Sequence, residues 1–532
     1  MKLVCRGVAP AWFLVPLLLL VVVFGCKSSE LNVREASITQ VSDFFFSIRP
    51  SGQVRLSKNN VQYPGRTKED VVVSDETVHK ASSSESEKLT IVKLQAEIAK
   101  LKSAECMPKT TDPVAEAPQF PASSDEIAGD TAKDVAAPRS KLSCNFTLAR
   151  MKICAMEGDV RVHGKSATVY VVAASHDSYW PENGTVTIRP YARKLDPVGI
   201  KTVREVTIRS SALVVAADDT ALPRCTVTHD VPAVVFSTPG GFSKNFFHAM
   251  DDTIIPLYNT AHEYDGHVQL LVTDYDRTLI FKLRHYLAAL SIYPVIDLDA
   301  DDAVRCFPLV HVGLERHDEL RIDPTLSRKG YTMMDFRDFL RSAYSLKHTW
   351  ATPANRSSGQ RPRLLLLLRR RSRAITNEAE AIATAIEVGF EVVTAGPEKS
   401  RDMATFAKVV NSCDVMLGVH GAGLTNFVFL PNNGTVMQII PWGEMKGIGW
   451  HEFGRPLPDM GLRYVDYEVT AEETTLKEVY PKDHAVFTDP NSIHKQGFTL
   501  VWEIFLNGQN LTLDIGHFRE VMQQTYQSVT IT

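Results

Sequence analysis

The chain has 532 residues, room for two or three domains with full cores. Its 44% hydrophobic and 23% charged residues exclude a multi-span membrane protein, a collagen and a wholly disordered chain. With 58 Lys+Arg against 62 Asp+Glu the net charge is -4, so the total points to no nucleic-acid partner.

Twenty charge-free residues run from Gly7 to Cys26, enough to cross a hydrocarbon layer of roughly 30 Å once. Lys2 and Arg6 precede the run, which predicts a cytoplasmic tail at 1–6, a transmembrane signal anchor at 7–26 and a lumenal remainder. A cleaved signal peptide is the competing reading, with Gly25 and Cys26 as small residues near a cleavage site. Sequons at Asn145, Asn183, Asn355, Asn433 and Asn510 agree with passage through the secretory pathway. Beyond the anchor stand Cys106, Cys144, Cys154, Cys225, Cys306 and Cys413, an even set compatible with disulfides in an oxidising lumen.

Residues 27–143 read as a disordered stem, because from Ser51 to Ser143 the aromatic residues are Tyr63 and Phe120 alone. Ile91, Leu94, Ile98 and Leu101 repeat at coiled-coil spacing, a short heptad stretch at 88–103 that would make a homodimer through the stem or an isolated amphipathic helix. A proline-rich linker then runs from Pro108 to Pro138.

From Cys144 apolar periodicity returns. Strand-like runs are expected at Ala167–Ala173, Val186–Ile188, Val203–Ile208, Leu213–Ala216, Ala233–Phe236, Val268–Thr273 and Leu309–Leu314, with helices near Asn245–Tyr258 and Arg277–Ser291. This is a mixed α/β half, taken as residues 144–350. In residues 351–532 strands at Leu364–Leu368, Phe390–Val393, Asp414–Val419 and Thr435–Ile440 alternate with helices at Glu378–Val388, Arg401–Ser412 and Leu424–Leu430. That alternation predicts a parallel sheet, a Rossmann-like domain. Asn377 and Glu380 resemble a capping box for the helix that Gly389 ends.

Ligands of such a sheet bind at the carboxyl ends of its strands. Arg369-Arg370-Arg371-Ser372-Arg373 follows the first strand, and His420-Gly421-Ala422-Gly423-Leu424-Thr425-Asn426 follows the third. Guanidiniums, glycine-exposed N–H groups, an imidazole and an amide suit a diphosphate. A solvated arginine face and a core histidine at 420 are the plainer alternatives, and Gly421 with Gly423 lacks the third glycine of a dinucleotide fingerprint. Asp251 and Asp252 stand three and four residues after His248, where a carboxylate orients an imidazole for general-base work or forms a plain salt bridge. Asp274-Tyr275-Asp276 has the form of a metal-binding D-x-D, against a simple helix cap at Asp276.

These segments together resemble plant glycosyltransferase family 61: Val231 to Phe242, Asn245 to Asp252, Cys306-Phe-Pro, Met334-Asp-Phe-Arg337, Arg369 to Asn377, Gly418 to Asn426, Gln438 to Gly443 and Asn510 to Phe518. Within it the chain is similar to the grass clade that adds xylosyl or arabinofuranosyl side chains to xylan. The resemblance covers about residues 140–530 and implies a GT-B-like pair of facing Rossmann-like domains in a single-pass type II Golgi protein. It implies inverting transfer from a UDP-pentose to a polysaccharide, with no obligatory metal and no tightly bound cofactor. His248, with Asp251 or Asp252, would supply the base. Arg369, Arg370, Arg373, His420, Gly421, Gly423 and Asn426 would hold the nucleotide sugar, and Asn245 and Arg337 would support the acceptor side or the fold. Two departures stand out: Ala249 occupies a place where the family usually has an acid, and Pro239 is inserted before Gly240-Gly241. A catalytically silent carbohydrate-binding or scaffold protein of the same fold is the alternative.

Overall fold

The structure, a computed structural model, describes residues 44–48, 54–58, 140–171, 184–210, 222–238, 242, 244–352 and 360–530. The expected anchor at 7–26, the heptads at 88–103, the strand at 213–216 and Pro239-Gly240-Gly241 lie outside these residues, as do Cys106, Asn183 and Asn355. Among the described residues no helix is long and apolar enough to cross a membrane.

The chain divides into two compact units, residues 1–128 and 129–532. In the first, within the stretch expected to be a disordered stem, β1 (Phe44–Ile48) and β2 (Val54–Lys58) pair antiparallel, Phe44 opposite Lys58. The aromatic and β-branched residues of these two runs favour extended backbone, a signal that the polar average of the stem obscures.

The second unit opens with β3 (Lys141–Asn145), β4 (Ile153–His163), β5 (Thr168–Val171), β6 (Thr185–Ile188), β7 (Val206–Ser210), β8 (Val227–Thr228) and β9 (Ala233–Ser237). One helix, α1, follows as three consecutive stretches: an α-helical start Phe246–His248, a π turn Ala249–Ile254 and an α-helical end Ile255–Ala261. Then come β10 (Gln269–Thr273), α2 (Arg277–Lys282), α3 (Arg284–Leu290), β11 (Ile296–Asp297), β12 (Val304–Val312) and α4 (Met333–Ala343). Strands β11, β10, β9 and β12 are parallel neighbours, and β4, β5, β7 and β6 extend the sheet beyond β12 with antiparallel steps at β12–β4, β4–β5 and β7–β6. This half is therefore not a wholly parallel Rossmann sheet. The difference is the eleven-residue β4, missed in the sequence because its Glu157, Gly158 and Asp159 interrupt the apolar alternation.

The second sheet comprises β13 (Arg363–Leu367), β14 (Glu391–Ala395), β15 (Val415–Val419), β16 (Thr435–Ile440) and β17 (Arg463–Glu468), all parallel, in the order β14-β13-β15-β16-β17. Helices α5 (Glu378–Val388), α6 (Met403–Asn411) and α7 (Ile515–Thr530) complete this half. Leu364 to Leu366 and all of β15 are buried, as expected of parallel strands covered on both faces. Chain order reverses direction between β13 and β15, which opens a crevice at their carboxyl ends.

One continuous core joins the halves. It runs from Val234, Phe236 and Met250 through Phe336 to Leu365, Met416 and Phe427. Every residue from Ala249 to Ala261 is buried, so α1 is a core helix surrounded on all sides. Arg337 on α4 clamps the junction: its guanidinium donates to Val428 O at 3.2 Å, to Asn432 Oδ1 at 2.9 Å, and to the carbonyls of Met460 and Leu430.

Several expected details differ. The helix expected over Arg277–Ser291 is two helices meeting at Leu283. No capping box forms at Asn377, whose side-chain oxygen accepts instead from Leu513 N at 2.9 Å. Disulfides link Cys144 to Cys154 across β3 and β4 and Cys225 to Cys306, whereas Cys413 is a buried free thiol that burial pushes up to about 11. Four of the six cysteines from Cys106 onward thus form disulfides as expected, and Cys106 lies outside the described residues.

Candidate functional site

The carboxyl ends of β13 and β15 lead into two loops that touch. The first carries the arginines. Arg369 donates from Nε to Ser372 O at 2.8 Å, and Arg373 from Nη1 to His420 O at 3.0 Å, on the second loop. The segment 509–512 pins the arginine loop: Arg373 N donates to Gln509 O at 2.6 Å, Ala374 N to Asn510 Oδ1 at 3.0 Å, and Ile375 bridges Leu511. Arg373 adopts a left-handed φ of 55°, which turns its side chain inward rather than along the surface.

Arg369 and Arg373 are largely buried, and among the described residues neither forms an ion pair, while Arg373 Nε is buried without a hydrogen-bond partner. Burial, then the like charge of Arg369, pulls the Arg373 guanidinium down to about 9; burial alone lowers Arg369. Two desolvated cations side by side are costly unless an anion joins them. Arg370 and Arg371 are different. Both are exposed, and Arg370 pairs with Glu378 at 2.6 Å on α5, so the structure does not bring Arg370 to the other two.

Gly421 has φ 141°, a backbone conformation that favours glycine, and an added Cβ would lie 2.7 Å from Arg369 Nη1, so that guanidinium would have to shift. Gly423 has room for a side chain, meeting only Leu367 Cδ1 at 4.0 Å. Asn426 is buried and donates to Gly423 O at 2.9 Å, closing the turn rather than facing the crevice. His420 is buried too: Gln438 Nε2 lies 2.8 Å from its Nδ1, and the Tyr464 hydroxyl donates to Gln438 Oε1 at 2.8 Å. Those bonds orient the amide so that His420 Nδ1 accepts and Nε2 carries the proton. Burial first, then Arg373 and Arg369, depress this imidazole to about 3, so it is neutral.

The other wall comes from α1. Asn245 caps the helix, accepting from Phe247 N at 3.0 Å, a structural role. His248 Nδ1 lies 3.0 Å from Asp252 Oδ2. That oxygen also accepts from the Tyr191 hydroxyl at 2.6 Å, and Asp252 Oδ1 faces Arg193 Nη1 at 3.3 Å and Arg316 Nη1 at 3.4 Å. Burial opposes the Asp252 charge, but the His248 bond and the charges of Arg316 and Arg193 hold it below the usual carboxylate range. Asp251 points elsewhere. It takes Arg316 Nη2 and Leu320 N (2.7 Å) in full burial, which pushes it up to about 7 against the Arg316 charge. Asp252, not Asp251, is therefore the partner of His248, and Ala249 is a buried packing residue.

Phe453 joins the two walls. Its ring meets Phe247 at 5.5 Å, His420 at 5.4 Å and Phe427 at 6.2 Å between centroids. It belongs to a π turn, Trp450–Gly454, that also presents Glu452, with Oε2 3.7 Å from His420 Nε2. Sequence reasoning missed Tyr191, Arg193, Arg316, Gln438 and Glu452. Only Gln438 left a local trace, as the polar residue in the otherwise apolar Val436–Ile440.

The D-x-D carboxylates face protein donors. Asp274 Oδ2 accepts from Ser237 Oγ at 2.6 Å and Arg204 N at 2.9 Å, while Asp276 caps α2 through Thr278 N and Leu279 N. Asn145 and Asn433 are exposed sequon positions, whereas Asn510 is partly buried against the arginine loop.

The family model Glycosyltransferase 61 matches residues 246–437, spanning both walls of this crevice. The rice alpha-1,3-arabinosyltransferase XAT3 is 41% identical over 393 residues, covering 73% of this chain and 66% of its own, so this chain spans just under two thirds of that relative. The rice beta-1,2-xylosyltransferase XYXT1 is 41% identical, covering 72% of this chain and 84% of its own. The Arabidopsis thaliana xylan glycosyltransferase MUCI21 is 34% identical, covering 72% and 79%.

Proposed function

Since the chain belongs to the glycosyltransferase 61 family, we propose that it is a pentosyltransferase. It moves xylose or arabinofuranose from a UDP-sugar to a hydroxyl of a xylan-type polysaccharide, with inversion. The observation that carries this reading is the pair of largely buried guanidiniums of Arg369 and Arg373, which form no ion pair among the described residues, set across Phe453 from the His248–Asp252 pair. An anion site and a proton acceptor face one crevice, as glycosyl transfer from a nucleoside diphosphate requires.

In this reading the diphosphate sits on Arg369, Arg373 and the N–H groups at Gly421, and its charge replaces the missing counter-ion of both guanidiniums. Asp252 fixes the His248 tautomer with the proton on Nδ1, which leaves the Nε2 lone pair to take the acceptor hydroxyl proton. The acceptor oxygen then bonds to the anomeric carbon as the bond to UDP breaks, and the electron pair leaves on the diphosphate. Cationic side chains and helix N-termini stabilise that leaving charge without a metal. The two halves form a GT-B-like pair, the rice relatives' names support a transferred pentose and the Arabidopsis relative's name supports the xylan acceptor, and the segment 7–26 anchors the protein in the Golgi membrane with this crevice lumenal.

A panel of UDP-sugars against xylo-oligosaccharides, run with EDTA and with manganese, tests the reading. Turnover with UDP-xylose or UDP-arabinofuranose in EDTA is expected. UDP binding without turnover on any pair, or activity only with manganese, would overturn the mechanism.

A further inference from the structure

Glu452 is a half-buried carboxyl that, among the described residues, accepts no hydrogen bond; its ion-pair-range contact is with His420 Nε2 at 3.7 Å. Its neighbours are fixed by other tasks. On the same stretch of chain, His451 Nε2 reaches Glu319 at 3.3 Å and Arg455 Nη2 reaches Asp318 at 2.6 Å, both on the loop after β12, while Phe453 fills the junction. The stretch is thus tied to the first half on one side and to the β15 loop on the other, which holds the Glu452 backbone rigidly between them.

The charges around Glu452 come from both walls: Arg193, which also contacts Asp252, the like charge of Glu319 on the loop after β12, and Arg373 of the anion loop. A carboxylate here cannot face the diphosphate, because like charges repel. Held 3.7 Å from His420 Nε2, with Arg193 of the His248–Asp252 wall and Arg373 of the anion loop acting on it, the carboxyl lies between the two walls, on the side of the sugar rather than of the diphosphate. A sugar ring brings neighbouring hydroxyl donors to that space, and a carboxylate offers two acceptor oxygens. Burial raises Glu452 to about 7.

We propose that Glu452 is the ligand of the transferred pentosyl ring, accepting hydrogen bonds from its hydroxyls while the diphosphate rests on Arg369 and Arg373 and His248 faces the acceptor. This inference rests on the transferase reading above and adds the residue that recognises the sugar. A site built to accept from hydroxyls discriminates strongly against a ring that presents them differently. Glu452 would therefore help to separate a xylopyranosyl from an arabinofuranosyl donor.

The test uses the full chain and its Glu452→Gln and Glu452→Ala variants, with UDP alone and with UDP-xylose and UDP-arabinofuranose as probes. UDP affinity is expected to stay within twofold of the wild type, which also reports that the crevice is folded. KM for the UDP-pentose should rise at least tenfold in Glu452→Ala and less in Glu452→Gln, whose amide oxygen still accepts, and the preference between the two donors should narrow. An unchanged KM and donor preference would overturn the assignment, as would UDP affinity falling in step with that of the UDP-sugar. A wild type that binds no UDP would overturn both this inference and the transferase reading, whereas intact UDP binding with indifferent variants would overturn this inference alone.

Discussion

His248 Nδ1 and the Tyr191 hydroxyl converge on one oxygen of Asp252, at 3.0 and 2.6 Å, so the acid that orients the imidazole is itself held by a residue just beyond β6. The π turn in α1 places Asp252 on this face, fully buried. Asp252→Asn is expected to lower kcat by about 10²- to 10³-fold, with UDP affinity unchanged, because the amide no longer fixes the base tautomer. Tyr191→Phe should cost less, since Arg193 and Arg316 still hold the carboxylate. Steady-state kinetics alongside UDP titration separates these outcomes; equal loss of binding and turnover would contradict the orienting role.

The arginine loop predicts a sharp split among neighbours. Arg369→Ala and Arg373→Ala should each weaken UDP binding at least tenfold, whereas Arg370→Ala and Arg371→Ala should leave it within twofold, because those two side chains face solvent. Gly421→Ala should resemble Arg369→Ala, since its Cβ would displace the guanidinium. Calorimetric titration with UDP reads all five variants.

Arg337 tests the junction between the halves. Arg337→Met would leave the carbonyls of Val428, Leu430 and Met460 without this donor in a buried site, while Asn432 Oδ1 keeps Arg341 Nη1 at 3.3 Å. A loss of about 3 kcal/mol or more in unfolding free energy is expected. The donor KM of the protein that remains folded should not change, which distinguishes a clamp from an acceptor-binding residue.

Two buried imidazoles set an acid limit on stability. Burial lowers His420 to about 3 and His311 to about 4, below the ordinary value of 6.5. Between these values and pH 6.5 the unfolded chain binds more protons than the folded one, so stability is full above pH 6.5 and falls as pH drops below it. At pH 5 each costs about 2 kcal/mol relative to pH 7. Thermal unfolding at the two pH values measures this, and His311→Gln should shrink the difference by about half.

The disulfide between Cys225 and Cys306 closes a separation of 81 residues, and that between Cys144 and Cys154 one of 10. By loop-closure entropy the first contributes about 4.5 kcal/mol and the second about 2.7 kcal/mol. Reduction under mild denaturant should lower the unfolding midpoint markedly, and Cys225→Ser with Cys306→Ser should lower it more than the corresponding change at 144 and 154.

The amino-acid sequence alone determined the parallel alternation from Leu364 to Ile440, the family, and the two loops at Arg369–Arg373 and His420–Asn426. The alternation and the loops depend on residues adjacent or one helical turn apart, which local periodicity and glycine or guanidinium chemistry report directly, and the family on short motifs whose order along the chain is read without folding it. Tertiary structure decided which members of those loops face inward. Arg373 and Arg370 are chemically identical in the sequence, and only a left-handed φ at 373 and a carboxylate on α5 beside 370 separate buried cation from surface pair. Likewise Asp251 and Asp252 are equivalent one turn from His248 until Arg316, 64 residues beyond Asp252, claims the first and the π turn presents the second to His248. Glu452 carries no local signal at all. Its place between the walls follows from Phe453, His451 and Arg455 finding partners more than a hundred residues away on the loop after β12 and on α1, and contacts at that separation exist only once the chain has folded.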